Sequence, residues 1–138
     1  MMPAIRQRVR FNASPARLFN MYMDSRQHSA ATHAKAVVSR KVGGKFSAFG
    51  GTITGKMLLI VPNRMIVQSW RAKHWKKTDL DSILVLAFSK TRRGTQIGLV
   101  HVNVPECDHD GVSNGWGKYY WKPWRTYLEQ GAGKAGAR

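Results

Sequence analysis

Cysteine, acidic residues and long apolar runs are all scarce in this chain of 138 residues. Its single cysteine, Cys107, excludes an internal disulfide framework and is too little for a cysteine-based zinc site. No apolar run approaches the roughly 20 residues of a membrane-spanning helix, and no charged-then-apolar leader opens the chain. These absences predict a protein of the cytoplasm that has no membrane span.

Seven acidic residues stand against 23 lysines and arginines, which gives the chain a net charge of +16. Such an excess attracts polyanions, whether nucleic acids, acidic proteins or anionic lipids, without specifying any of them. Proteins that bind nucleic acid usually combine basic residues with exposed aromatics or a recognition helix. Here Trp75, beside Lys76 and Lys77, is the one local candidate. We therefore do not expect nucleic acid to be the partner.

Aromatic residues are concentrated near the end of the chain, where six of them lie between Trp116 and Tyr127. At about 100° per residue, one stripe of an α-helix collects most of the apolar side chains of this segment. The stripe consists of Val112, Trp116, Tyr119, Tyr120, Pro123 and Tyr127. Trp121 and Trp124 lie on its flanks, where we expect them to pack on strand edges or on a second subunit. The segment is predicted to be a long amphipathic helix whose aromatic face lies against a broad apolar surface.

Alternation of apolar and polar residues predicts an antiparallel sheet. Residues 5–11 alternate strictly, with three arginines on the outer face. Ser14 and Pro15 then favour the start of a helix, and a second short helix is expected over residues 26–32. Further strands are predicted over residues 35–40, 45–49, 52–61, 64–71, 82–90 and 95–102, with loops at 73–81 and 105–111. The short connections indicate that strands adjacent in sequence are adjacent in the sheet.

The order of these elements predicts an α+β helix-grip fold. A curved antiparallel sheet of six to seven strands would wrap around the long C-terminal helix, with two short helices after the first strand. One helix rarely fills a curved sheet, so a cavity between the two is expected. Residues 1–130 would form this single domain, and the glycine-rich residues 131–138 would form a flexible tail.

Several short segments, taken in order, resemble those of a known family. They are Phe11–Pro15, Val42–Phe46, Gly51–Gly55, Ile66–Arg71, Gly94–Leu99, Val104–Pro105, Gly115–Trp116, Tyr120–Pro123 and Tyr127–Leu128. The chain resembles the activator of heat-shock protein 90 ATPase homologue-like family, within the START-like superfamily (SRPBCC) that also holds the birch-pollen allergens. The resemblance implies a helix-grip fold. The family includes eukaryotic co-chaperones and bacterial proteins thought to bind small hydrophobic ligands. The superfamily also contains enzymes, but a shared fold does not transfer a reaction.

Candidate catalytic and metal-binding residues are few. The glycine pair Gly43-Gly44 does not have P-loop spacing. Cys107, Asp108 and His109 are close in sequence, but a metal would need further ligands from elsewhere. A nucleophilic cysteine would need a positioned base and a lowered pKa. We therefore expect no catalytic residues, no metal and no cofactor, and a protein that is not an enzyme.

Two polar residues are expected on the inner face of the sheet. His101 shares a strand face with Ile97 and Leu99, so it orients a ligand, acts as an acid–base group or is a satisfied core residue. Gln68 alternates with Trp70, which either fills the core or forms a cavity wall. The buried Gln68 amide needs a partner, and the polar end of a ligand is one candidate.

These residues predict a protein that binds a small hydrophobic molecule or lipid, without catalysis, between sheet and helix. The predicted cavity residues are Gln68, Trp70, Leu84, Leu86, Phe88, Ile97, Leu99, His101, Trp116, Tyr119 and Tyr120. The alternative is a co-chaperone or stress-response module that binds a heat-shock chaperone through its basic outer face and stimulates its ATPase. Residues 82–90 are apolar on both strand faces, which indicates a second contact such as a homodimer interface.

Overall fold

Seven antiparallel strands form one sheet in the computed structural model, which describes the backbone of residues 2–136 and the side chains of residues 2–131. The strands are β1 (Ile5–Phe11), β2 (Val37–Val38), β3 (Lys45–Ala48), β4 (Ile53–Val61), β5 (Met65–Ala72), β6 (Ser82–Lys90) and β7 (Thr95–Val102). The helices are α1 (Pro15–Met23), α2 (Ser25–Thr32), α3 (His109–Trp116) and α4 (Lys122–Gly136), with a π-helical turn at Gly117–Trp121. Helices α3 and α4 and the π-helical turn between them form the C-terminal helical region. The predicted α+β fold, with a curved sheet and this long helical region, is confirmed.

The strands follow the order β1-β7-β6-β5-β4-β3-β2. The predicted meander therefore runs from β2 to β7, and β1 pairs with β7 at one edge. Side chains alternate between the faces: in β6, Leu84 and Leu86 are buried while Ile83 and Val85 are partly exposed. The strand predicted over residues 35–40 is shorter than expected, because only two residues of β2 pair with β3. The sheet thus has a covered inner face and an open outer face.

Helices α1 and α2 cover part of the inner face. α1 begins as predicted: the Ser14 hydroxyl accepts a hydrogen bond from the Arg17 backbone N–H at 3.1 Å, and Pro15 opens the first turn. Its buried side packs against β6, where the rings of Phe19 and Phe88 lie 5.8 Å apart. The inner face is therefore filled from both ends of the chain, and not by the C-terminal helix alone.

The C-terminal helical region differs from the predicted continuous α-helix. A π-helical turn holds one residue more than an α-helical turn, so the faces that follow it are rotated. Tyr119, predicted to face inward, is 49% exposed, and Trp124, predicted on the flank, is fully buried. Trp121 and Trp124 pack on Phe11 of the edge strand β1, with ring centroids 6.1 and 5.9 Å away. Both tryptophans therefore belong to the core and not to a subunit interface.

Helical structure near the C-terminus extends beyond the predicted boundaries. The loop predicted over residues 105–111 is largely helical, because a 3-10 turn at Glu106–Asp108 leads directly into α3. A flexible tail is predicted over residues 131–138. The side chains after residue 131 lie outside the described residues, so the tail stays a prediction. The backbone of α4 extends to Gly136. Within residues 2–136, no helix combines the length and apolar character needed to cross a membrane.

Candidate ligand cavity

A cavity of about 410 Å³ lies between the C-terminal helical region and strands β4 and β5. It is open to solvent, and its lining includes the exposed residues His74 and Tyr119. Two glycines of α3, Gly111 and Gly115, face the cavity and leave it room. A Cβ atom at Gly115 would meet only the Tyr119 ring, at 3.4 Å. The absence of side chains on this helix face is therefore one reason why the space is not filled.

Five aromatic side chains form the walls of the cavity: Phe49, Trp70, Trp116, Tyr119 and Tyr120. The rings of Trp116 and Tyr120 have centroids 4.7 Å apart, and Phe49 meets Tyr120 edge-on at 5.4 Å. Trp70 lies 6.3 Å from Trp116, so the aromatic wall continues from the helix to the sheet. Such contacts fix the rings in place, which makes this a pre-formed apolar site.

Two polar side chains of the lining, those of His74 and Asp108, lie at the solvent-exposed end of the cavity, its mouth. The Asp108 Oδ2 atom accepts hydrogen bonds from Trp75 Nε1 at 2.7 Å and from His74 Nε2 at 3.0 Å. The His74 side chain is 63% exposed, which places it at the solvent side. Trp75 is buried, so it is not available to stack on a nucleobase. No sequence pattern indicated this cluster, because 34 residues separate His74 from Asp108.

Four of the eleven predicted cavity residues line the cavity, namely Trp70, Trp116, Tyr119 and Tyr120. The other seven do not line it and are buried in the core: Gln68, Leu84, Leu86, Phe88, Ile97, Leu99 and His101. Two packings account for this: α1 lies over β5 and β6, where Phe19 meets Phe88 and Tyr22 binds Gln68, and Trp116 lies against His101. Contact between any of the eleven and a ligand stays a prediction.

His101 is a satisfied core residue. The Ser82 hydroxyl donates to the Trp70 carbonyl oxygen at 2.7 Å, so His101 Nε2–H donates to Ser82 Oγ at 2.8 Å. His101 Nδ1 then accepts from Trp116 Nε1 at 3.2 Å. Burial, with a smaller contribution from the nearby His109, lowers the pKa of His101 to about 3. Since both ring nitrogens are engaged, neither is left to orient a ligand or to act as an acid–base group.

The Gln68 amide also has its partners inside the protein. Its Oε1 atom accepts from the Tyr22 hydroxyl at 2.8 Å, and its Nε2 atom donates to Met57 Sδ at 3.3 Å. Tyr22 comes from α1, which the sequence-based prediction did not place over β5. The Gln68 amide is therefore satisfied inside the protein, and its contact with the polar end of a ligand stays a prediction.

His28 on α2 is a buried residue that sequence patterns did not single out. Its Nδ1 donates to the Tyr22 carbonyl oxygen at 2.8 Å, so its Nε2 accepts from the Tyr120 hydroxyl at 2.9 Å. Burial lowers the pKa of His28 to about 4 and raises the pKa of Tyr120. The pair joins α2 to the aromatic wall of the cavity and holds the Tyr120 ring in position.

Metal binding has no geometric support among the described residues, where no three His, Cys, Asp or Glu side chains lie close enough to share an ion. The residues that are close in sequence near Cys107 contact different partners. Asp108 accepts from His74 and Trp75, whereas His109 Nε2 lies 3.0 Å from the Pro3 carbonyl oxygen. Cys107 itself is exposed and free. These side chains do not form a common site.

An antiparallel sheet around a long C-terminal helix, with an apolar cavity between them, defines a START-like helix-grip protein. The family described as "Activator of Hsp90 ATPase homolog 1-like protein" matches residues 12–129. The chain belongs to this family. The resemblance drawn from the short sequence segments is thereby confirmed.

Curated relatives of this family are similar over most of the chain. The human activator of 90 kDa heat shock protein ATPase homolog 1 is 28% identical over 122 residues, which cover 88% of this chain and 36% of the human protein. The Dictyostelium discoideum activator of 90 kDa heat shock protein ATPase homolog is 28% identical over 107 residues, covering 77% and 28%. The chain thus spans about a third of the length of the curated relatives it matches.

Solved structures share the fold. The crystal structure of an HSP90 activator from Plasmodium falciparum has a TM-score of 0.84 at 26% identity, covering 91% of this chain and 96% of that one. The solution structure of an Aha1 dimer from Colwellia psychrerythraea has a TM-score of 0.74 at 16% identity, covering 86% and 90%. The second likeness, at low identity, concerns the fold alone.

Proposed function

We propose that the chain binds a small hydrophobic molecule, without catalysis, in the cavity beside Trp116. The observation that carries the proposal is the pre-formed cavity of about 410 Å³ with five aromatic walls. Sites for small molecules are typically a few hundred Å³ in volume, with apolar walls and few polar groups. At about 25 cal/mol per Å², a ligand that buries about 300 Å² of apolar surface would gain about 7.5 kcal/mol before the costs of association.

The mouth of the cavity would orient the ligand. Gln68 and His101 are engaged inside the protein, whereas the Asp108 carboxylate and the His74 imidazole line the cavity. This arrangement supports a ligand whose apolar body contacts Trp70 and whose polar end stays near the solvent. One end of the cavity is thereby polar, whereas its other walls are largely aromatic.

Filling the cavity tests this proposal. Gly115→Leu places a side chain in the cavity, where the first contact of a Cβ atom is an ordinary one with the Tyr119 ring. Gly117→Leu makes the same change in the same helical region, where a Cβ atom meets nothing within 4 Å. We expect Gly115→Leu to weaken binding of the neutral fluorescent probe N-phenyl-1-naphthylamine at least about tenfold, and Gly117→Leu to leave it unchanged. Equal binding by the two variants would contradict the cavity as the site.

A second candidate function is stimulation of the ATPase of a heat-shock chaperone. It is favoured by the human relative and the Plasmodium falciparum structure, both named as activators, at 28% and 26% identity. Turnover by a purified 90 kDa heat-shock chaperone, measured with and without the chain, tests it. This function would use the outer surface of the protein, so Gly115→Leu should stimulate as well as the unchanged chain. A loss of stimulation in Gly115→Leu would instead show that the cavity is also needed for stimulation of the chaperone.

Neither candidate assigns a catalytic step to a side chain of this protein. A ligand is held by burial, and a chaperone would perform its own ATP hydrolysis. The cytoplasmic location and a role in stress response stay predictions. The homodimer indicated by the apolar outer face of β6 also stays a prediction. Whether a second copy can bind there depends on the charges that surround that face.

A further inference from the structure

The outer face of the sheet carries a contiguous apolar surface. Nine side chains point outward from four adjacent strands, and each is at least partly exposed. This outer apolar surface consists of Val100, Val85, Val67 and Leu59 in one cross-strand row, Ala87, Met65 and Val61 in the next, and the pair Ile83 and Val102. Antiparallel sheets with one open face usually place polar side chains there. A continuous apolar area of this kind marks a site of interaction.

The strand at one edge of this surface carries positive charges, whereas Asp81, which directly precedes β6, forms an ion pair with Arg71 at 3.2 Å. On the neighbouring strand β1, Arg6 lies opposite Val100 and Arg8 lies opposite Gly98, and both arginines are exposed. None of the seven acidic residues lies on a strand. They are Asp24, Asp79, Asp81, Glu106, Asp108, Asp110 and Glu129. A partner would therefore meet an apolar centre with a basic edge.

This distribution opposes a second copy of the chain as the occupant. A second copy would bring another sixteen positive charges and no strand carboxylate to meet Arg6 and Arg8. Repulsion between like charges would then work against burial of the apolar centre. Lipid surfaces are typically bound by an amphipathic helix and not by the face of a sheet. Single-stranded nucleic acids are bound through exposed aromatic side chains. The outer apolar surface contains none.

We propose that the outer apolar surface, together with the arginines of β1, binds an acidic protein surface that has an apolar centre. The proposal rests on the second candidate function, in which that protein is a 90 kDa heat-shock chaperone. The apolar centre would supply most of the buried area, and the basic edge would steer the encounter and fix the register. It places the chaperone contact on the face of the sheet opposite to the cavity.

Two double variants test the two parts of this surface. Val67→Thr with Val85→Thr keeps the shape and β-branching of two central residues but replaces a methyl group with a hydroxyl. Arg6→Gln with Arg8→Gln removes two charges from the edge. The matched controls are Val42→Thr, an exposed valine in a turn, and Arg92→Gln with Arg93→Gln, an exposed pair between β6 and β7. Circular dichroism and thermal unfolding of each variant verify that the fold is kept.

Binding to the purified 90 kDa heat-shock chaperone is then measured at low and at high salt. Both surface variants are expected to weaken binding at least about tenfold, with the controls within about twofold. Added salt should weaken the unchanged chain more than the Arg6 and Arg8 variant, since that variant has lost part of the screened attraction.

Other outcomes separate this inference from the function on which it rests. Undisturbed binding by both surface variants overturns the proposed surface and leaves the co-chaperone candidate standing. Absence of any binding by the unchanged chain overturns both. A dimer that Val67→Thr with Val85→Thr converts to a monomer would show that a second copy occupies the face, and it also overturns the proposal. Binding to anionic vesicles that is lost in Val67→Thr with Val85→Thr would show that a lipid surface occupies the face, and it would also overturn the proposal.

Discussion

Trp116 Nε1 donates a hydrogen bond to His101 Nδ1 at 3.2 Å, across the boundary between the C-terminal helical region and the sheet. The same indole forms a wall of the cavity on its other side. His101 is held in turn by Ser82, so the orientation of one cavity wall depends on a neutral, buried imidazole. This relationship gives the core a requirement that apolar packing alone would not have, namely that His101 stays unprotonated.

Stability should therefore fall as the solution becomes acidic. Burial lowers the pKa of His101 to about 3 and that of His28 to about 4, both below the ordinary value of 6.5. A histidine with a lowered folded-state pKa stabilises the fold above its unfolded-state pKa, and this contribution is lost as the pH falls towards the folded-state pKa. Between about pH 7 and about pH 5, we expect each histidine to cost about 2 kcal/mol of unfolding free energy. Urea unfolding at the two pH values measures it.

Single variants assign this pH dependence to its source. His28→Gln and His101→Gln should each remove about half of the difference between the two pH values, although both variants are less stable at neutral pH. His33→Asn is the matched control, because His33 is exposed and its φ of 58° suits asparagine. A pH dependence that survives in both buried-site variants would contradict the account.

Two buried tryptophans at the end of the chain should respond differently to the same substitution. Trp121 Nε1 donates to Gln7 Oε1 at 2.8 Å, whereas Trp124 Nε1 has no hydrogen-bond partner among the described residues. Replacement by phenylalanine removes the same atoms in both cases, but only Trp121→Phe also leaves the Gln7 oxygen without its donor. We expect Trp121→Phe to cost about 1 kcal/mol more than Trp124→Phe in urea unfolding. A larger cost for Trp124→Phe would show that packing volume outweighs the hydrogen bond.

Sequence reasoning succeeds where structure is set by near neighbours. Alternation along β6 predicts that Leu84 and Leu86 are buried, because a strand with one covered face repeats every two residues whatever covers it. The helix start at Ser14 is predictable for a similar reason, since the capping bond reaches only to Arg17. Both features depend on residues that are close in sequence.

Local sequence patterns do not reveal contacts between residues that are far apart in sequence. Alternation shows that Gln68 faces inward, but not that Tyr22, 46 residues away, provides its hydrogen bond. The pair of His74 and Asp108 is separated by 34 residues and leaves no local pattern. The seven inward residues were assigned to a cavity because nothing in their own strands reveals what covers them, such as Tyr22 over Gln68 or Trp116 over His101.

The hydrogen bond between Trp75 and Asp108, at the mouth of the cavity, should contribute to the free energy of unfolding. Asp108→Ala leaves the buried Trp75 Nε1 without an acceptor, which is expected to cost about 1–3 kcal/mol. Asp108→Asn keeps an oxygen acceptor and should cost clearly less. His74→Ala removes the exposed partner and should change the unfolding free energy by no more than about 0.5 kcal/mol. Equal costs for the two Asp108 variants would indicate that charge, and not the acceptor, matters there.

The π-helical turn explains why a count of 100° per residue misplaces the aromatic side chains, and it makes a deletion predictable. Without Lys118, the buried residues Tyr120, Trp121 and Trp124 would follow Trp116 by three, four and seven positions. That is the spacing of one face of a regular α-helix. Lys118 is exposed, so its removal should convert the π turn to an α turn and keep these rings inside.

We therefore expect deletion of Lys118 to change the unfolding free energy by no more than about 1 kcal/mol, a small effect for a backbone deletion. Deletion of Thr126, another exposed residue, is the matched comparison. No surplus residue exists in α4, so this deletion rotates Tyr127 and Leu128 away from the core on which they pack, and should cost more. Lys118→Ala separates the loss of the side chain from the loss of the backbone unit. Unfolding of the chain on deletion of Lys118 would mean that the π turn is required by the packing around it, and is not merely accommodated there.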